Sequence, residues 1–300
     1  MSKNIISNLI RFMMIHFTLP SISKRLPTIR RARFVFVLFV LILVGCVARS
    51  GQGVRFVESG RMDPPTLAVN GVNSGNFSFA FVGDIHLGGQ ETSNLRKILD
   101  EAKSFGDSFV VFLGDITDKG ERTAMETVKS QVAEFGFSNK AIYVLGNHDV
   151  FGDGWTAWKD LFGASHFDVV LGNCHFIVVD TADGIVGESQ TDWLEETLKR
   201  SNSVHKIVLS HYMPVVPRQR TYLRLSNQVE SSALMKLLSR YGADAWLGGH
   251  YHSFVQERIG GVNYVVAGGA GGRRMEPIKE NFYVRGIVEG NNLSFQMRFF

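Results

Sequence analysis

From Asn76 onward, short apolar runs alternate with polar clusters, and one arrangement recurs five times. The run "FSFAFVGDIH" ends on Asp84 and His86, and "SFVVFLGD" ends on Asp115. "AIYVLGNHD" ends on Asn147, His148 and Asp149, "HKIVLSH" on His211, and "DAWLGGHYH" on His250 and His252. Each run is four to six residues long and rich in Val, Ile, Phe or Leu, the pattern of a strand covered on both faces.

Between the runs the period lengthens to that of a helix. Residues 92–104 place Leu95, Ile98, Leu99 and Ala102 on one face, and residues 226–240 do the same with Val229, Ala233, Leu234, Leu237 and Leu238. Residues 123–135 and 189–200 repeat the spacing more weakly. After His252, Gly260-Gly261 and the Gly290-Asn291-Asn292 stretch each separate two apolar segments, predicting two hairpins and an antiparallel tail. Strands alternating with helices predict an α/β domain, with its sheet mixed or split into two layers. In such domains reactive groups gather beyond the carboxyl ends of the strands. The five polar clusters are therefore expected to meet in space, although they span Asp84 to His252.

Those clusters hold Asp84, His86, Asp115, Asn147, His148, His211, His250 and His252, including five of the nine histidines. Carboxylate, imidazole and one amide oxygen, without a thiolate, suit Mn, Fe, Zn, Co or Ni and argue against a structural zinc site. Seven candidate ligands are too many for one tetrahedral ion; they suit two ions roughly 3.5–4 Å apart that share a carboxylate.

The blocks Asp84-Ile85-His86, Gly114-Asp115, Gly146-Asn147-His148-Asp149, His211 and Gly249-His250-Tyr251-His252, in this order, resemble the motifs of the calcineurin-like metallophosphoesterases. The resemblance covers about Asn76 to Gly272. It implies a two-layer mixed β-sheet sandwich flanked by helices, a four-layer αββα arrangement. It also implies a dinuclear centre of divalent or trivalent ions, with Mn, Fe or Zn as the expected metals. One ion would be held by Asp84, His86, Asp115 and His252, and the other by Asp115, Asn147, His211 and His250, with Asp115 as the bridge. The implied reaction is phosphoester hydrolysis, of a diester or a monoester, by metal-activated hydroxide. His148 would then protonate the departing oxygen or stabilise phosphoryl charge, with Asp149 orienting it. "GDITD" lacks the metal-binding Tyr of purple acid phosphatases, which disfavours that branch. Alternatives of the same fold are an exported nuclease or nucleotidase; a catalytically inactive binding module is a third, but no ligand position is missing.

Other residues receive plainer readings. His16, His166, His175 and His205 sit in no ligand motif and are expected to be satisfied surface or core groups. Asp118 reads as a turn or helix-capping residue, with support of the site as the alternative. The "AGGAGGRR" stretch is not followed by the Lys-Ser/Thr of a phosphate-binding loop. Arg218, Arg220, Arg273 and Arg274 are weak candidates for substrate contact against a reading as solvated surface groups. Tyr251 and Trp155 fit equally a pocket lining or simple packing.

Charge changes the picture at one end only. Residues 1–50 hold eight Lys and Arg and no acid, whereas the remainder holds 24 basic and 28 acidic residues. A net −4 over that remainder gives no support to nucleic-acid binding, and a small phosphoester is the expected partner. The basic flank leads into an apolar run from Phe34 to Val44, too short for a spanning helix of roughly 20 residues but suited to a secretory signal. Leu43-Val44-Gly45-Cys46 resembles a bacterial lipobox, which implies lipidation at Cys46. The expected organisation is a targeting segment (1–46), a tether (47–75) and the phosphoesterase domain (76–300). The expected location is extracytoplasmic, as a periplasmic or cell-surface lipoprotein held at the membrane, the alternative being a single uncleaved N-terminal anchor. Cys174, within "NCHFIVVD", is expected in a buried strand as a small hydrophobe.

Overall fold

The apolar runs become strands because both of their faces find cover. In β1 (Asn76–Val82), Phe77, Phe79 and Phe81 point into the core between two sheets, and Ala80 and Val82 point toward helices. In β2 (Phe109–Leu113), Phe109, Val111 and Leu113 face that core and Val110 and Phe112 face away from it. The same division runs through β6 (His205–Leu209), with Ile207 and Leu209 inward and Val208 outward. The computed structural model describes residues 51–69, 71–72, 75–88, 93–216 and 223–300. They fall within one compact unit, Arg49–Phe300. Cys46, Arg218, Arg220 and the 1–46 targeting segment lie outside the described residues.

The first sheet has the order β11-β10-β1-β2-β3, where β3 is Ala141–Val144, β10 Phe282–Glu289 and β11 Asn292–Phe299. The second has the order β4-β5-β6-β7-β9-β8, where β4 is Phe167–Leu171, β5 Cys174–Val178, β7 Ala245–Gly248, β8 Phe254–Ile259 and β9 Val262–Ala267. Strands β1, β2 and β3 run parallel, as do β5, β6, β7 and β9. Both predicted hairpins form: Ile259 pairs with Val262 and Glu289 with Asn292, each across a two-residue turn. The tail therefore supplies antiparallel edges to both sheets.

Helices cover the outer faces. α2 (Ser93–Ser104), α3 (Arg122–Glu134) and α4 (Gly154–Phe162) pack on the first sheet through Leu95, Ile98, Leu99, Met125, Val128 and Trp158. α5 (Glu188–Arg200) and α6 (Gln228–Arg240) cover the second through Leu194, Leu198, Leu234 and Leu238. The result is the expected αββα layering. One detail of α6 differs from its sequence pattern: Val229 is 80% exposed and Ala233 is also exposed. The helix begins later, capped by the Asn227 side chain, which accepts from the Val229 and Glu230 amides; its buried face is Ser231, Leu234, Leu237 and Leu238.

The stretch expected to be a tether contains α1 (Gly51–Ser59), with Gln52, Arg55 and Ser59 buried. Its partners are polar, so no apolar periodicity announces it. Glu58 accepts from the Trp155 indole and the Lys159 ammonium, which settles Trp155 as a packing residue. Tyr251 is buried, its hydroxyl donating to the Glu276 carbonyl. Cys174 is buried in β5, and burial together with the Asp244 charge pushes its thiol up to about 12. Among the described residues no helix is long and apolar enough to cross a membrane.

Candidate metal centre

Every predicted cluster follows the carboxyl end of a parallel strand: Asp84 and His86 after β1, Asp115 after β2, Asn147 and His148 after β3, His211 after β6, and His250 and His252 after β7. The two sheets thus donate to one rim. The loops also bind each other, since the Asp84 amide donates to the Gly114 carbonyl and the His86 amide to the Asp115 carbonyl. Among the described residues, the non-glycine positions with positive φ are Asp84 (63°), His86 (49°), Asp115 (50°) and His250 (64°). A left-handed backbone costs such residues roughly 1–2 kcal/mol each, and it persists here because the surrounding loops fix it.

The predicted ligands form two donor groups. In the first, Asp84, His86 and His252 meet: His252 Nε2 lies 3.2 Å from Asp84 Oδ1 and 3.2 Å from His86 Nε2. In the second, Asp115, His211 and His250 meet: His211 Nε2 lies 3.2 Å from Asp115 Oδ2 and 3.3 Å from His250 Nδ1. Asn147 Oδ1 joins the second group, 3.1 Å from His211 Nε2. Asp115 Oδ2 is also 3.6 Å from His86 Nε2, so this one oxygen stands between the groups.

The ring orientations suit cation binding. His211 Nδ1 donates to the Leu113 carbonyl and His252 Nδ1 to the Arg273 carbonyl, which leaves both Nε2 atoms facing the cluster. Asp84 and Asp115 are buried. Burial alone would raise their pKa values, but the His252 hydrogen bond and the His252 and His211 charges hold Asp84 below its ordinary value. Asp115 is likewise held well below the carboxylate range: burial opposes this, and the charge and hydrogen bond of His211 outweigh it. His211 is in turn lifted to about 9, against its burial, by Asp115 and Asp84, whereas burial and the His211 charge press His250 down to about 3. Buried carboxylates kept ionised and imidazole Nε2 atoms turned inward give oxygen and nitrogen donors that fit a divalent ion.

Close approach of the loops requires glycine at two points. A methyl group on Gly146 would overlap the amide and Oδ1 of Asp115, and one on Gly272 would enter the rings of His252 and His86. The Gly-rich stretch after β9 therefore packs against the site's side chains, and Gly271, Gly272 and Arg273 line an open cleft of about 560 Å³ together with His86, Asp118, His148 and His252.

The expected pairing of Asp149 with His148 is corrected by the structure. Asp149 is buried, Oδ1 accepting from the amide and hydroxyl of Thr117 and Oδ2 from the Gly146 amide. Burial and the nearby Asp115 charge raise it to about 6. Its role is to hold the loops after β2 and β3 together, since both of its oxygens are taken by groups of those loops. His148 instead donates from Nδ1 to the Asp118 carbonyl at 2.6 Å, and its amide donates to Asp115 Oδ1. Asp118 Oδ1 lies 3.4 Å from His86 Nδ1, so the supporting reading of Asp118 is the one its position favours. Of the arginines, Arg273 lines the cleft, whereas Arg274 is tied to Asn281 Oδ1 and the Gly268 carbonyl and has few donors left for a substrate.

Two residues at the rim escaped the sequence reading. Asp180 and Thr181 follow β5, and Thr181 Oγ1 accepts from the amides of His211 and Tyr212. The signal was present: "HFIVVDTADG" is the same apolar run and polar ending, without a histidine at its end.

Comparison with known proteins agrees with this geometry. The family model described as Calcineurin-like phosphoesterase matches residues 77–254. A probable cyclic nucleotide phosphodiesterase of Ruthia magnifica subsp. Calyptogena magnifica is 24% identical over 196 residues, covering 61% of this chain and 82% of that protein. Purple acid phosphatase PPD1 from yellow lupin (Lupinus luteus) seeds matches with a TM-score of 0.63 at 16% identity, over 79% of this chain and 52% of that one. A dimetal phosphatase from Danio rerio matches with a TM-score of 0.57 at 14% identity, over 74% of this chain and 96% of that one. The chain spans about half the length of the lupin enzyme, and likeness at these identities establishes the fold. With strand ends, donor groups and a family match all over the same residues, the chain belongs to the calcineurin-like phosphoesterase family.

Proposed function

We propose that this chain is a phosphoester hydrolase working through two metal ions, with phosphodiesters among its substrates. The observation that carries the reading is the position of Asp115 Oδ2, 3.2 Å from His211 Nε2 and 3.6 Å from His86 Nε2, between two donor groups. Asp84, His86, Asp115 and His252 would hold one ion, and Asp115, Asn147, His211 and His250 the other. Bound there, two cations lower the pKa of water and neutralise phosphoryl oxygens. The likeness to a probable cyclic nucleotide phosphodiesterase supports a diester substrate.

The chain's own residues supply the rest. With Nδ1 committed to the Asp118 carbonyl, His148 keeps Nε2 to hold a proton for the leaving oxygen at the cleft it lines. Arg273, on the same cleft, is placed to meet a phosphoryl oxygen. Asp149 keeps the Gly146–Asp149 turn in register with Thr117, which fixes the His148 backbone relative to Asp115.

The proposed setting is extracytoplasmic, with the chain held to a membrane through Cys46, on the support of the basic flank, short apolar run and lipobox-like ending. Metal analysis of the purified chain, with hydrolysis of bis(p-nitrophenyl) phosphate and p-nitrophenyl phosphate with and without chelator, tests the chemistry. Chelator-sensitive hydrolysis is expected, and insensitivity to chelator would overturn the two-metal reading. Labelled fatty acid should enter the wild-type chain and not a Cys46→Ala variant; equal labelling of both rejects that attachment point.

A further inference from the structure

α1 lies outside the residues matched by the family, yet its central side chain reaches the rim. Arg55 is buried, and its guanidinium donates from Nε to Asp180 Oδ2 at 2.7 Å and from Nη2 to Asp180 Oδ1 at 3.1 Å and Asp183 Oδ1 at 3.0 Å. The first turn of α1 adds a bond from the Gln52 amide to Asp183 Oδ2. A two-pronged guanidinium–carboxylate pair away from water fixes direction as well as distance.

The segment so clamped, Asp180 to Asp183, contains Thr181. Its hydroxyl oxygen accepts from the amides of His211 at 3.2 Å and Tyr212 at 2.9 Å. Tyr212 stacks on the His250 ring with centroids 3.7 Å apart. A chain of direct contacts therefore runs from Arg55 through Asp180 and Thr181 to both histidines of the second donor group.

We propose that Arg55 is a positioning residue for the His211–His250 half of the centre, acting through the Asp180–Asp183 loop and the Thr181 hydroxyl. The α1 helix is then part of the working site. The inference rests on the two-ion reading and adds to it which part of the chain controls one of the two positions.

The test is Mn²⁺ titration of the full chain followed by calorimetry, comparing wild type with Arg55→Met, Arg55→Lys and Thr181→Val. Wild type is expected to take up two equivalents. Thr181→Val and Arg55→Met should keep one equivalent at wild-type affinity and bind the other about 10–100-fold more weakly, in the range seen when groups supporting ligands are removed. Arg55→Lys, which keeps charge without the fork, should fall between. If Arg55→Met does not fold, Thr181→Val and Arg55→Lys decide alone. Folded variants with two unaltered affinities, or equal weakening of both equivalents, would overturn the positioning role. Wild type binding a single equivalent would instead overturn the two-ion reading, and the inference with it.

Discussion

Five histidines gather at the rim and three others, His166, His175 and His205, lie elsewhere in the described residues. The difference between the sets is what their nitrogens face. His175 has both nitrogens engaged, 2.7 Å from Ser201 Oγ and 2.8 Å from Asp168 Oδ2, and Arg200 ties the other oxygen of that carboxylate. His205 donates from Nε2 to the Gly290 carbonyl. At the rim, by contrast, ring nitrogens of His86, His211, His250 and His252 face one another and two buried carboxylates. Donors that face one another leave room for a shared positive charge.

The widest separation between the sets should come from Asp115→Asn. Losing charge on the oxygen between the two groups should weaken metal occupancy at both positions and abolish chelator-sensitive hydrolysis. Elemental analysis reads this directly, and loss of one ion only would contradict a bridging role. His148→Ala comes next. It should keep its metals and lose about 10²–10⁴-fold in rate, the span of general-acid contributions. Loss of metal in that variant would place His148 among the ligands.

His175→Ala should do the opposite of both. Hydrolysis and metal content should stay unchanged while denaturant unfolding shows a loss of about 1–3 kcal/mol, because Ser201 and Asp168 lose a buried partner. A fall in metal content would erase the contrast drawn between the sets.

The smallest effect is expected of His166. Burial depresses it from 6.5 to about 4, despite the Asp180 charge, and it stacks on Phe56 with centroids 4.3 Å apart. The unfolded imidazole takes up a proton near its ordinary value, before the folded one does. Stability is therefore unaffected above about pH 6.5 and declines as pH falls from there toward 4. His166→Gln should flatten the pH profile of the melting temperature in that window; an unchanged slope would show that His166 does not titrate with unfolding.

Much of this was legible in the sequence because strands buried on both faces are written as continuous apolar runs, and a polar ending after such a run has few other uses. Leu95, Ile98 and Leu99 marked α2 by their one-sided helical spacing, and all seven candidate ligand positions lie at the rim. What stayed hidden depended on side chains meeting across the fold. α1 is held by Arg55, Gln52 and Glu58, whose partners are 97 or more residues away, so no local periodicity reveals it. Asp149 follows His148 in the chain, which suggested a pair, but the 3-10 turn at His148–Val150 sends the two side chains to different partners. The left-handed backbone at Asp84, His86, Asp115 and His250 stayed hidden because it is imposed by loops that meet only in the folded chain.

Because Asp84, His86, Asp115 and Asn147 come from one sheet while His211, His250 and His252 come from the other, an ion pair seated at the rim would also rivet the two halves of the sandwich along their upper seam. Mass action then ties the folded population to trace-element supply, and a starved cell would clear the unloaded chain by proteolysis sooner than the loaded one.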